Sequence, residues 1–413
     1  MRPALLSLLF ACDPPKPDDS GAATGPTWYQ DVEPIVTAKC ATCHTTGGIA
    51  PFPLTTYEEA APYASWMKSA VQSGEMPPWP ADSACNTYQF DRSLSAEQIE
   101  AIAAWSDAGA LEGDAANPAA PLDVAIPALS RADVTLQIDE PYTPALSPDE
   151  CRCFVFDWDE GTSYVTGFGV EPDEDRVVHH VIAYRISPDD ADTVRAFDDA
   201  EDGPGYACYG GPNADGAGSD RVDSDWLGGW VPGSTGNDYP DGTGIKVEDG
   251  SLVVVQFHYN VETAGPLPDQ SSVSFKVDDS VDKEAAVAKI LDPTWVLGDN
   301  MIIPAGETAT YSYTYEVPLG VRVYQLGLHM HNLGQSASMV ASTGGSDVCM
   351  LDIPDWDFHW QGSYSLDAAQ VLSRGDTVTL TCTFDNSAGT TDVAWGENSS
   401  DEMCLGTAYG TLD

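Results

Sequence analysis

The chain has 413 residues, enough for two to four domains and an ample core. It carries 17 Lys and Arg against 65 Asp and Glu, a net charge of −48. So acidic a surface repels phosphate backbones, which argues against nucleic acid, anionic membrane surfaces and polyanionic substrates as partners. The 30 Pro and 37 Gly, many of them in Asp-Gly and Pro-Asp turns, predict loop-rich β structure.

At the N-terminus, Arg2 precedes a short apolar run over residues 4–11, followed by Cys12. The run is too short to span a membrane and fits a brief secretory segment. Leu9, Phe10, Ala11 and Cys12 resemble the lipobox of bacterial lipoproteins, in which the Cys is lipidated. An ordinary signal peptide with an incidental Cys is the alternative. Residues 1–26 are thus expected to be a signal and polar tether, and the protein to be exported, periplasmic or at the cell surface. Its membrane contact would be only through the lipid on Cys12.

The next segment carries Cys40-Ala41-Thr42-Cys43-His44, the C-x-x-C-H attachment pattern of c-type haem. The two thiols would bond the vinyl groups, and His44 is placed to ligate the iron. Met76, in the Pro-rich turn Met76-Pro77-Pro78-Trp79, is the expected distal ligand, and His/Met ligation raises a haem potential. Met67 competes but lies in a helical pattern over 57–73 and reads as core. A last helix is signalled by the Ser95/Gln98 capping box, by Leu94 and Ile99 as a staple, by Ile102 and Ala103 on the buried stripe, and by Gly109 at its end. Residues 27–112 resemble a small all-α class I cytochrome c domain. A linker rich in Ala, Pro and Asp follows, over 113–132.

From residue 133 the pattern alternates with period two. In 377–384, Val378, Leu380, Cys382 and Phe384 share the inward face. In 251–260, Val253, Val255 and Phe257 share one face, and Val254, Gln256 and His258 the other. Many short strands without long helices predict antiparallel sandwiches. Six of the seven histidines lie here. His329 and His331 are two apart on a strand and point the same way. His179 and His180 are adjacent, so both can face one ion only at a bulge or strand end. His258 closes a strand, and Met403 sits beside Cys404. Imidazole suits copper, and a thioether stabilises its Cu(I) state. Zinc has little use for Met, and non-haem iron asks for a carboxylate.

The His179-His180 pair, His258 in Gln256-Phe257-His258-Tyr259-Asn260, His329-Met330-His331 and Met403-Cys404 occur in the order and rough spacing of the copper type II, ascorbate-dependent monooxygenases. Residues 133–413 resemble that family. The resemblance implies two jelly-roll-like β-sandwiches, over 133–282 and 283–413, and two copper ions. One copper, held by His179, His180 and His258, supplies an electron. The other, held by His329, His331 and Met403, binds O₂. It also implies a Cys382–Cys404 disulfide beside Met403, worth roughly 3 kcal/mol by loop closure. Cys153–Cys208 is the second expected pair. Cys85, Cys151 and Cys349 have no assignment, and His359 matches no family ligand and reads as a supporting histidine.

The family inserts one atom of O₂ into an aliphatic C–H bond, using two external electrons. A fused one-electron haem is expected to replace or relay for ascorbate, with a redox partner as donor. Peptide-amidating members use an Arg where this chain has Gly327 and an Asn where it has Leu405. Loss of that carboxylate clamp points to a neutral or cationic small molecule rather than a C-terminal glycine. The competing expectation is an exported, lipid-anchored electron-transfer or copper-binding protein without oxygenase activity.

Overall fold

The computed structural model describes residues 25–48, 50–123, 127–208, 210–214, 222–234, 236–262, 264–298 and 300–413. Cys12 and its apolar run lie outside them. The chain divides into two compact units.

The N-terminal unit takes the described residues of 25–46, 52–77 and 94–122 and is helical. Helix Glu33–Lys39 carries Pro34 in its first turn, where a missing N–H costs nothing, and ends at Cys40. The helical pattern over 57–73 runs as three pieces rather than one: Tyr57–Ala60, a 3-10 turn Ala61–Tyr63, and Ala64–Ser73. Pro62 has no N–H to give the preceding turn, which explains the break. Helix Ala96–Asp107 has both legs of its capping box, Gln98 N–H to Ser95 Oγ at 3.3 Å and Ser95 N–H to Gln98 Oε1 at 2.9 Å. Trp28, Val32, Ile35, Met67, Ile102 and Trp105 form the core. Part of the expected linker is tied down here, since Gln30 Nε2 donates to the carbonyls of Asp114 at 2.8 Å and Asn117 at 2.7 Å.

The second unit is β and takes the described residues of 123–413 and 47–51 together with the strap 78–93. That strap had been expected inside the 27–112 domain. Its attachments are to β strands: Asp82 N–H bonds Asp352 O at 2.9 Å, Gln89 N–H bonds Ser365 O at 2.8 Å, and Cys85 is disulfide-bonded to Cys349.

One long sheet runs through this unit in the order Val134–Gln137, Ser272–Asp278, Ser163–Glu171, Thr243–Val247, Lys283–Ile290, Leu405–Leu412, Val321–His329, Ser363–Leu372. A five-stranded sheet containing Asp149–Asp157, Leu252–Asn260 and Val178–Ile186 shares a core with its first half, around Phe154, Phe168, Val181, Phe257 and Phe275. A four-stranded sheet of Thr308–Glu316, Thr377–Asp385, Gly334–Thr343 and Ser346–Ile353 does the same with its second half, around Leu326, Leu328, Met339, Leu380 and Phe384. Each such side chain contributes about 1.5–3 kcal/mol by leaving water. The halves meet at a parallel pairing of Lys283 with Thr243, so the sandwiches are not purely antiparallel. Strand Thr377–Asp385 alternates as its sequence predicts. Its threonines face out and bond across to Thr310, Ser312 and Thr314 at 3.0–3.1 Å.

Candidate metal centre

The first histidine set rests on a bulge. Strand Val178–Ile186 pairs with Leu252–Asn260, but the register slips between Val178, opposite Tyr259, and His180, opposite His258. The extra residue lets adjacent histidines face the same way. His179 Nδ1 and His180 Nδ1 are 3.4 Å apart, and His180 Nδ1 and His258 Nδ1 are 3.1 Å apart. On the far side of its ring, His258 Nε2 lies 3.0 Å from Asp149 Oδ1. A carboxylate accepts only, so Nε2 carries hydrogen and Nδ1 is turned to the cluster. Burial alone would raise the Asp149 pKa. Hydrogen bonds from His258, Ser399 and Asn260 outweigh it and hold the carboxyl well below its usual range. Burial, then the neighbouring His258, lowers His179 to about 3, and burial puts His180 well below its ordinary value.

The second set needs no bulge. His329 ends strand Val321–His329, His331 follows two residues on, and their Nε2 atoms are 3.1 Å apart. His329 Nδ1 bonds Gln361 Oε1, whose amide is oriented by its own donation to Phe358 O at 3.0 Å. His331 Nδ1 bonds the Asp401 carbonyl at 3.2 Å. Both acceptors fix the proton on Nδ1, so two lone pairs face each other across 3.1 Å. Burial lowers His329 to about 3 and His331 to about 4, the latter against the hydrogen bond to Asp401. Two unprotonated nitrogens that close repel unless a cation lies against both.

Met403 is brought to this end by pairing of His329 with Leu405, two residues beyond it. Glu402, 0 % exposed, clamps the two stretches together. Its carboxylate accepts the backbone N–H of His331 at 2.9 Å, of Leu333, and of Met403 at 3.3 Å. Burial pushes Glu402 up to about 7 despite those three donors. The Cys382–Cys404 disulfide pins the adjoining residue.

The two sets converge. The rings of His180 and His329 are 6.3 Å apart. Phe358 stacks on His179 at 4.7 Å and presents its edge to His331 at 5.9 Å, and His359 lies 6.5 Å from His179. The five expected imidazoles thus share one cluster. Asp149, Ser399, Glu402, Gln361 and Phe358 were not found from sequence. The donors, imidazole nitrogens freed of their protons and the buried Met403 two residues before the strand partner of His329, fit copper in kind.

Two further expectations bear on this centre. Cys153–Cys208 forms alongside Cys85–Cys349, while Cys151, opposite His258 in register, enters no disulfide. Its thiol is pushed up to about 12 by burial, and further by Glu397. At Gly327, a Cβ would lie 2.6 Å from Thr407 Oγ1, so a larger residue there is crowded.

In the helical unit, the C-x-x-C-H residues form a turn off helix Glu33–Lys39, with His44 N–H bonded to Cys40 O at 2.9 Å. His44 Nδ1 lies 3.0 Å from Phe52 O, which puts the proton there and leaves Nε2 as an acceptor. Neither Cys40 nor Cys43 enters a disulfide. This donor set fits a covalently held haem, and Met67 is core as expected.

Residues 286–409 match the family model described as copper type II ascorbate-dependent monooxygenase, C-terminal domain. That match covers the second histidine pair, Met403 and both cysteines of the Cys382–Cys404 bridge. More broadly, the chain is similar to DBH-like monooxygenase protein 1 of Gallus gallus, 24% identical over 258 residues, which are 57% of this chain and 39% of that protein. The Mus musculus protein of the same name is 25% identical over 254 residues, with the same coverage. The chain spans about two fifths of the length of these curated relatives. Among solved structures, PNGase F, a glycosylasparaginase from Flavobacterium meningosepticum, aligns at 12% identity over 68% of this chain and 96% of its own. Its TM-score is 0.31. The family model and both relatives are of monooxygenases, a class of oxidoreductase. The three disulfides fit an oxidising compartment, and no helix among the described residues is long and apolar enough to cross a membrane.

Proposed function

We propose that the protein is an exported copper-dependent monooxygenase that hydroxylates an aliphatic C–H bond of a small molecule. Its overall balance is RH + O₂ + 2e⁻ + 2H⁺ → ROH + H₂O. His179, His180 and His258 would hold one copper, the electron-storing one, and His329, His331 and Met403 would hold the other, the one open to O₂. Copper there supplies one-electron chemistry and an O₂ site. The observation that carries this reading is the pair of facing lone pairs on His329 and His331, 3.1 Å apart with both protons fixed elsewhere.

The chain's own residues set up that chemistry. Asp149, Gln361 and the Asp401 carbonyl hold protons on the ring nitrogens that face away from the cluster. Phe358 lies against His179 of the first set and His331 of the second and shields those two rings from water. Gly327 leaves no arginine to clamp a substrate carboxylate, and the −48 charge disfavours anions, so the substrate is neutral or cationic. Cys40 and Cys43 would hold a haem covalently, with His44 and Met76 as the residues offered to its iron. Such a group would supply electrons one at a time, in place of ascorbate or from a cytochrome, and a lipid on Cys12 would anchor the protein.

The test is the copper content of the full chain, wild type and Met403→Ala, with O₂ uptake by the ascorbate-reduced protein. Two coppers per chain, and O₂ uptake lost in the variant, are expected. One copper or none overturns the oxygenase reading and leaves an electron-transfer protein. For the haem, the full chain with Cys40→Ser and Cys43→Ser should lose turnover driven by a reduced cytochrome and keep turnover driven by ascorbate. Equal loss with both donors, or with neither, ends the relay proposal.

A further inference from the structure

Asp149 is the first residue of strand Asp149–Asp157 and lies opposite Asn260 in register. Its Oδ1 accepts from His258 Nε2 at 3.0 Å and from Asn260 Nδ2 at 2.9 Å. Its Oδ2 accepts from Ser399 Oγ, 250 residues away in the other sandwich. Ser399 in turn takes Asn332 Nδ2 on its carbonyl at 2.9 Å, and Asn332 follows His331 directly. An unbroken chain of hydrogen bonds therefore runs from a histidine of the first set to the residue beside a histidine of the second. It is shielded from water: the side chains of Asp149 and His258 are 7% and 5% exposed. A surface pair would be screened and loose, whereas a buried carboxylate with three donors is held in one geometry.

We propose that Asp149 is a two-sided positioning residue. One carboxylate oxygen fixes the His258 proton on Nε2 and so presents Nδ1. The other latches the loop bearing Ser399 onto the first sandwich, setting the register of the two halves of the centre. The two functions are separable because they use different oxygens. The copper arm of the test rests on the proposed function, and the other two arms do not.

Three variants of the full chain divide the proposal. Asp149→Ala removes both oxygens. Ser399→Ala removes only the latch. Asp149→Asn is the conservative variant: its Oδ1 still accepts from His258 and Asn260, and its amide donates to Ser399 Oγ. In the metal-free protein, nitrogen NMR of the His258 ring reads the tautomer, and amide exchange over 397–403 reads the latch. Competition with a chelator reads copper affinity at the first set. Asp149→Ala should lose the single Nε2–H tautomer, speed exchange over 397–403 about 10-fold or more, and weaken copper about 10- to 100-fold. Ser399→Ala should speed exchange equally, with the tautomer kept and copper affinity within about 3-fold of wild type. Asp149→Asn should keep tautomer and slow exchange.

Wild-type tautomer and exchange in Asp149→Ala would overturn the proposal. So would loss of the His258 tautomer in Ser399→Ala, since Asp149 would then act only through the loop. Should Asp149→Ala not fold, Asp149→Asn decides, and loss of either readout there overturns it. A wild type that binds no copper would sink the proposed function, while the tautomer and exchange still decide the role of Asp149.

Discussion

The two histidine sets offer opposite edges of the imidazole ring. The first turns Nδ1 to the cluster, the nitrogen nearer the backbone, and needs a bulge between Val178 and His180 to do so. The second turns Nε2, the distal nitrogen, from His329 at the end of its strand and from His331 two residues beyond it. Their outer partners differ as well. His258 leans on a carboxylate, whereas His329 and His331 lean on a neutral amide and a backbone carbonyl. A carboxylate partner makes an imidazole a stronger donor. Neutral partners make a weaker one. One fold thus arranges two histidine sets with different outer partners from the same side chain.

The largest test of that contrast is deletion of one set at a time. His180→Ala and His331→Ala should each take bound copper from two per chain to one, measured by metal analysis of the loaded protein. Loss of both coppers in either variant would mean a single shared site. Next in size is Glu402→Ala. It strands three buried backbone N–H groups, so a loss of about 3 kcal/mol or more in denaturant unfolding is expected, together with failure of the His329 set to bind copper. The first set makes no hydrogen bond to Glu402 among those described and should still load.

A smaller change would make the second set resemble the first. Gln361→Glu gives His329 a carboxylate partner. The potential of that copper should fall, by about 59 mV if the oxidised state gains tenfold in relative affinity, as read by redox titration. An unchanged or raised potential would show that partner charge does not distinguish the sets. The smallest effect is on acid stability without metal. His179, His329 and His331 are depressed to about 3, 3 and 4, against roughly 6.5 unfolded. Below pH ~6.5 the unfolded chain takes protons that the folded one refuses, so stability falls with pH over that window. His331 ceases to contribute near pH 4, while His179 and His329 continue toward 3. Melting temperatures of the metal-free protein at pH 7, 5.5 and 4.5 should decline, and less steeply in His331→Ala.

Much of the strand pattern could be read in the sequence, because alternation is local. The buried face of 377–384, the capping box at Ser95 and the need for a bulge at His179-His180 follow from residues a few positions apart. So do the histidines that form the cluster, since seven in 413 residues leave few to choose among. Asp149 and Glu402 were illegible for the converse reason: each is one of 65 acidic residues, and only tertiary pairing sets it apart. Phe358 and Gln361 act from a loop whose approach no local pattern encodes. The odd cysteine was countable, but its identity as Cys151 depended on Cys85 reaching Cys349, a closure across 264 residues.

That closure also bears on inheritance. The chain leaves the helical unit after residue 77, is stitched into the β unit over 78–93, and returns to the helical unit at 94. Residues 27–112 therefore do not form a detachable cassette. A recombination that exchanged them as a block would carry off Cys85, leave Cys349 with an orphan thiol on strand Ser346–Ile353, and uncover Tyr364 where Trp79 and Tyr88 lie against it. The helical unit and the β unit are interleaved in sequence, and descent that keeps both intact has to pass them on together.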